Sequence, residues 1–330
     1  MTSPYHRGER EAQERAGLRR KAEISGRAIR DTVPPVAAAF LTEQRLLVAG
    51  AADERGEVWA TVLTGPAGFL CAEGERSLSV AARPAPDDPL ASVLERPARL
   101  GMLAIDAASR RRMRMNGTAR PRGDGLLVDL DQVVANCPKY IQRRTPLAED
   151  PGKPSVPPAA RPAGVRRGDR LDDGQLRLLA RADTFFVATA DEHGRADASH
   201  RGGNPGFLQV LAPTRLRWPD YTGNAMLLTL GNLLVNPRAG LVVPDYATGA
   251  TLHLTGTAEI VWGAGTAEDS RGPTGSGDSG RAGDAETGRT VEFTVTGVAE
   301  LPGTLPAGWS PPEFSRFNPA VPGAGSAGVA

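Results

Sequence analysis

The sequence predicts a mainly β protein with short helices, built as two small barrels in tandem. Three observations predict it. Short β-type runs alternate with turn signals from Arg45 onward, the second half repeats the order of the first, and a proline-rich stretch divides them. At 330 residues and 40% hydrophobic content, the chain is long enough to build two cores.

The first 30 residues carry eight Arg and Lys against four Glu, with apolar residues spaced at Leu18, Ala22, Ile24 and Ile29, which predicts a lead-in helix. Pro34 and Pro35 stop it, and a helical piece over 36–44 hands over to the first strand. Strands are expected at 46–51, 58–63, 77–81, 102–105, 111–115 and 126–134, with a turn at Asp53-Glu54-Arg55-Gly56. Six prolines fall within 146–169, which reads as a linker. The expected organisation is a lead-in over 1–35, a first repeat over 36–145, the linker over 146–169, a second repeat over 170–310 and an irregular tail over 311–330. A Gly/Ser/Asp/Thr-rich insertion over 263–288 lacks bulky apolar residues and is expected to be disordered.

The repeat is the most informative internal feature. Glu54-Arg55-Gly56-Glu57-Val58-Trp59-Ala60-Thr61 lies over Glu192-His193-Gly194-Arg195-Ala196-Asp197-Ala198-Ser199, and the phase holds through Gly68-Phe69 over Gly206-Phe207. Downstream, Arg99-Leu100-Gly101 aligns with Arg238-Ala239-Gly240, and Asn116-Gly117-Thr118-Ala119 with Thr255-Gly256-Thr257-Ala258.

Composition removes several function classes. A net charge of +1 from 39 basic and 38 acidic residues gives no broad field for nucleic acid or an anionic membrane. Two cysteines, Cys71 and Cys137, and four histidines do not predict a zinc site. No apolar run approaches the roughly 20 residues needed to span a bilayer, so a cytoplasmic protein acting on a small molecule is expected. The only lysines are Lys21, Lys139 and Lys153, leaving arginine as the basic residue of the second half.

The chemistry concentrates in the second repeat. Asp197-Ala198-Ser199-His200-Arg201-Gly202-Gly203 ends a strand with a hydroxyl, an imidazole, a guanidinium and unencumbered backbone amides, which together suit a phosphate cradle. Residue types alone leave open a tight turn with Arg201 solvated. Further on, Trp218-Pro219-Asp220-Tyr221-Thr222-Gly223-Asn224 leads into a helix expected over 225–235. Asn224 and Thr229 near its start can present donors to an anion or a ring edge, whereas Asn232 can equally be a polar position on the helix.

Taken together, His200-Arg201-Gly202-Gly203, the Pro219-to-Asn224 block, the Thr229-to-Asn232 helix start and Asn236-Pro237-Arg238 resemble the flavin-binding split barrel of pyridoxamine 5'-phosphate oxidase-related proteins. Tyr5-His6-Arg7-Gly8-Glu9-Arg10, Leu63-Thr64-Gly65-Pro66 and Asn136-Cys137-Pro138-Lys139-Tyr140 are similar to a long, two-repeat bacterial subgroup. The resemblance implies six-stranded Greek-key barrels packed face to face, with FMN in the groove between them and the usual dimer reproduced within one chain. It also implies that Ser199, His200, Arg201 and Gly202 meet the phosphate or ribityl chain while Tyr221, Asn224, Thr229 and Asn232 complete the pocket. Val62 and Leu63 occupy the matching positions of the first repeat, so one competent site and a mostly structural first barrel are expected.

An FMN-dependent oxidoreductase is the implied class, served by a flavin reductase or a nicotinamide electron donor, with homodimerisation open. The alternatives are a non-enzymatic flavin or haem binder and a deazaflavin-dependent reductase. No catalytic residue stands out beyond His200. The tail Phe314-Ser315-Arg316-Phe317 departs from the substrate motif of the vitamer oxidases, so that activity is not expected. Around Pro138, a lowered-pKa Cys137 thiol competes with a plain strand-end turn, and Lys139 or Tyr140 could reach across the groove to the flavin. His253 is expected on a barrel face and 110–114 as a solvated hairpin.

Overall fold

The computed structural model describes residues 3–135, 138–147, 164–263, 286–306 and 308–321. The insertion expected over 263–288 and Cys137 fall largely or wholly outside these residues. The first part of the chain forms α1 (Arg7–Arg15), α2 (Arg19–Gly26), α3 (Pro35–Glu43), β1 (Leu46–Ala52), β2 (Val58–Thr64), β3 (Leu70–Ala72), β4 (Ser77–Val80), β5 (Ala98–Asp106), β6 (Arg111–Arg122) and β7 (Gly125–Ala135). The second forms β8 (Arg166–Gly168), α4 (Asp173–Arg181), β9 (Thr184–Ala190), β10 (Ala196–Gly202), β11 (Gln209–Ala212), β12 (Arg215–Pro219), α5 (Leu228–Val235), β13 (Arg238–Pro244), β14 (Thr251–Val261) and β15 (Thr290–Leu301).

The strands make two antiparallel sheets of the same order, β2-β1-β5-β6-β7-β4-β3 and β10-β9-β13-β14-β15-β12-β11. These are two tandem split barrels. Each path holds seven strands where six were expected, because a short edge strand, β3 or β11, adds to the end. Such short pieces carry too little alternation to be read from sequence. Strand β8, at the end of the proline-rich stretch, pairs with β15.

Backbone detail repeats with the topology. Gly56 and Gly194 both sit at φ +74°, and Gly68 and Gly206 both at φ +93°, the left-handed region that disfavours any side chain. The long central strands bulge at the same place, between Asn116 and Gly117 in β6 and between Thr255 and Gly256 in β14. A bulge bends the strand and tightens its twist, which a split barrel needs to curl.

Each barrel has its own core, around Phe40, Leu47, Leu78 and Met115 in the first and Phe185, Trp218 and Phe293 in the second. A third apolar cluster, including Val48, Val62, Leu103, Phe186, Ala188 and Val242, joins the two. There the main chains approach closely. Gly50 faces the methyl of Ala188, and a Cβ added at Gly101 would lie 2.5 Å from Cα of Asp197. Gly101→Ala is therefore expected to force the barrels apart locally, at a cost of about 1–3 kcal/mol. Urea unfolding would read this as a lowered midpoint, and an unchanged midpoint would contradict the close packing.

The lead-in is two helices rather than one, because Gly17 takes φ +66° between them. His6 caps α1: its Nδ1 accepts from Gly8 N at 3.1 Å while Glu9 accepts from His6 N at 2.9 Å. Helix α1 then crosses α5 of the second barrel at a pair of glycines, Gly8 and Gly231, where any side chain would strike the opposing backbone. Among the described residues, no helix is long and apolar enough to cross a membrane.

Candidate functional site

Strand β10 lies at the end of its sheet and pairs only with β9, so its other edge is open to the first barrel. The segment after β7 uses that opening. Tyr140, at φ +67°, sets its carbonyl oxygen where a Cβ of Gly202 would stand, so glycine is required for the two chains to pass. The wall opposite is the connection from β12 to α5. Ala225 and Leu227 are both left-handed there, at φ +63° and +54°, an uncommon conformation for residues with side chains and one that clusters at ligand sites. Helix α5 consequently begins at Leu228 instead of Ala225, which places Thr229 in its first turn.

Between these walls lies a cavity that brings together Ser199, His200, Arg201, Gly202, Tyr221, Asn224 and Thr229. Asn232 is not among them. Its Nδ2 donates to Thr189 Oγ1 at 2.9 Å and its Oδ1 accepts from His6 Nε2 at 2.9 Å, so this side chain ties α5 to β9 and to the α1 cap.

The first barrel contributes more than expected. Arg112 and Arg114 of β6, with Lys139 and Tyr140, line the same cavity. Tyr140 Oη donates to the carbonyl of Thr222 at 2.9 Å, and its ring centroid lies 5.1 Å from that of Tyr221. Arg114 is 2% exposed and pairs with Asp197 at 3.1 Å, so the expected solvated hairpin over 110–114 is in part a buried wall of the site. A sequence signal for this existed. Arg112, Arg114 and Asn116 alternate with Met113 and Met115, placing the polar three on one face of the strand. His253, expected on a barrel face, lies on the face that is sealed against the first barrel, with Nδ1 at 2.8 Å from the Ala60 carbonyl oxygen. It stands three residues before its bulge glycine, as Arg114 does. Val62, which aligns with His200, lies in the apolar cluster that joins the barrels.

Positive charge dominates the cavity. Arg112, Arg114, Lys139 and Arg201 line it against a single carboxylate, Asp220. That carboxylate is already engaged by Arg289, whose Nε and Nη2 lie 3.1 and 2.9 Å from Asp220 Oδ2. Among the described residues Arg201 forms no salt bridge; its Nη1 donates to the His200 carbonyl at 3.0 Å. Burial pulls the Arg201 pKa down, against the opposing pull of Asp220 and Asp197. Among the described residues, His200 has no hydrogen-bond partner on either ring nitrogen. Burial, then the nearby Arg112 and Arg201, hold its pKa well below the ordinary histidine value, so the imidazole is neutral. Asp197 is the hub behind the wall: besides Arg114 it accepts from Ser199 Oγ at 3.0 Å and from Asn116 Nδ2 at 3.5 Å.

Glu9 is buried beneath α1, and that burial pushes its carboxyl up to about 8. The native state thus keeps a proton that the unfolded chain releases near 4.5. Stability should fall as pH rises from 4.5 to about 8, with a slope of at most ~1.4 kcal/mol per pH unit. Glu9→Gln should flatten that slope in urea melts across the range. A slope unchanged by the substitution would assign it to other groups.

Residues 171–281, which hold most of the second barrel, match the family model described as pyridoxamine 5'-phosphate oxidase. No curated protein matches the sequence. Among solved structures, a pyridoxamine 5'-phosphate oxidase-related, FMN-binding protein from Nostoc punctiforme is 12% identical, with 39% of this chain and 78% of that one covered at a TM-score of 0.26. A protein related to general stress protein 26 of B. subtilis, from Clostridium acetobutylicum, is 16% identical over 39% of this chain and 85% of its own, at 0.26. The haem storage protein HutZ from Vibrio cholerae is 13% identical over 45% and 99%, at 0.24. Likenesses of this degree identify neither a ligand nor a reaction.

Proposed function

We propose that the chain is an FMN-binding flavoprotein, an oxidoreductase acting on a small molecule, with the flavin held in the cavity between the barrels. One observation carries the reading: among the described residues Arg201 lines the cavity with no salt bridge, while the carboxylate that lines it, Asp220, is already engaged by Arg289. Such a site is short of negative charge, and a phosphate monoester supplies it. The Arg201 guanidinium has no carboxylate partner, and Gly202 leaves the main chain bare beside it. Ser199 offers a hydroxyl oxygen, while the unpartnered His200 ring nitrogens supply a donor and an acceptor in a dry setting. Tyr140 and Tyr221 provide aromatic surface for a planar ring, and Asn224 and Thr229 provide polar groups at its edge. The domain match over 171–281 supports the same reading.

Bound FMN supplies electron transfer through its isoalloxazine ring. The chain's part is placement. Tyr140 ties the first barrel to the 219–227 connection and so closes the cavity against water, and Asp197 fixes the Ser199 side chain by accepting its hydroxyl proton. A nicotinamide nucleotide or a flavin reductase as electron source belongs to the same reading.

The test is a titration of purified protein with FMN, riboflavin and haem, followed by flavin fluorescence and visible absorbance. FMN should bind at least about tenfold tighter than riboflavin, the share of a charge-assisted phosphate contact. Equal affinity for the two flavins, or haem binding with no flavin binding, would overturn the proposal.

A further inference from the structure

Behind the Arg114–Asp197 pair lies a second cavity of about 300 Å³, where α1, the first barrel and the second barrel converge. It shares Arg114 and Leu228 with the first cavity and is otherwise separate. We propose that it binds a small uncharged molecule bearing an amide-type edge, a carbonyl oxygen beside an N–H, as in a carboxamide or a lactam.

The polar atoms define that class. Asn116 donates its Nδ2 to Asp197 at 3.5 Å, which fixes the amide orientation and leaves Oδ1 buried with no partner among the described residues. Arg114, 2% exposed, spends Nη1 on Asp197 and, among the described residues, leaves Nε and Nη2 without a partner. The site thus presents one stranded acceptor and stranded donors on neighbouring side chains of β6. Buried polar groups left unpaired are costly, and an N–H set against Asn116 Oδ1 with a C=O set against Arg114 relieves both.

Charge excludes the ionic alternatives. Arg114 is matched by Asp197, Arg195 by Asp191 at 2.6 Å and Arg99 by Asp131 at 2.7 Å. The remaining acid, Glu9, holds its proton at neutral pH and adds a neutral donor. A carboxylate or ammonium brought into this balanced cavity would lose hydration without gaining a counter-charge. An uncharged edge loses far less.

This inference does not depend on the flavin reading. Saturation-transfer NMR on the full chain, with acetamide and pyrrolidone as probes and acetate as the charged isostere, tests it. Both amides should bind in the millimolar range expected of molecules this small, about tenfold or more tighter than acetate, and saturating FMN should not displace them. Asn116→Leu should weaken pyrrolidone binding by about tenfold or more, the share of one hydrogen bond to a buried group. A crystal of unaltered protein soaked in pyrrolidone should place its oxygen on Arg114 and its N–H on Asn116, a result that does not require the variant to fold. Absence of any amide signal, acetate binding as tightly as the amides, displacement by FMN, or pyrrolidone seated elsewhere in the crystal would each overturn the proposal.

Discussion

Arg201→Ala should lower FMN affinity by about a hundredfold, the loss of one or two charge-assisted hydrogen bonds at about 1.5–3 kcal/mol each. Riboflavin affinity should stay within about threefold, because the phosphate is the only group removed between the two ligands. The contrast matters more than the size of either number. Arg201 lies beside His200 and Gly202 in a cavity with no free carboxylate, so its guanidinium is available to an anion. If both flavins weakened equally, Arg201 would be supporting the cavity wall and not holding a phosphate. Fold integrity is checked by the thermal midpoint, which should move little, since no ion pair is broken among the described residues.

Arg114→Met should have the largest effect on stability. The substitution keeps the volume of the side chain but leaves Asp197, whose side chain is 4% exposed, buried without its cation. Breaking one side of a buried pair costs about 3–5 kcal/mol. Adding Asp197→Asn to that variant removes the stranded charge and should recover a large part of the loss, so the two changes will not add. Urea unfolding of both single variants and the double variant measures the coupling. Additive losses would show that Arg114 stabilises the wall by packing alone. Ser199 depends on the same carboxylate, so Asp197→Asn by itself should also weaken FMN binding, by several-fold.

Much of the fold was legible because its signals are local. The short β-type runs at 58–63 and 185–190, the glycine turns at Gly56 and Gly194 and the bulge glycines Gly117 and Gly256 are all signals carried within a few residues. For the same reason the cradle from Ser199 to Gly202 could be proposed from one strand end. The two-helix lead-in and the later start of α5 were less legible, because Gly17, Ala225 and Leu227 are held in left-handed conformations by packing. Nothing in the residue type of Leu227 announces a positive φ.

By itself, then, the sequence determined two barrels of common strand order, and it placed Val62 and Leu63 where the second repeat has His200 and Arg201. Tertiary structure alone decided which first-barrel residues complete the cavity and where Asn232 is spent. Arg112, Arg114 and Tyr140 reach Arg201 only because the barrels meet at Gly50, Gly101 and Gly240 with almost no side-chain volume between their backbones. Close approach across an interface is a property of two distant segments at once, and neither segment encodes it without the other.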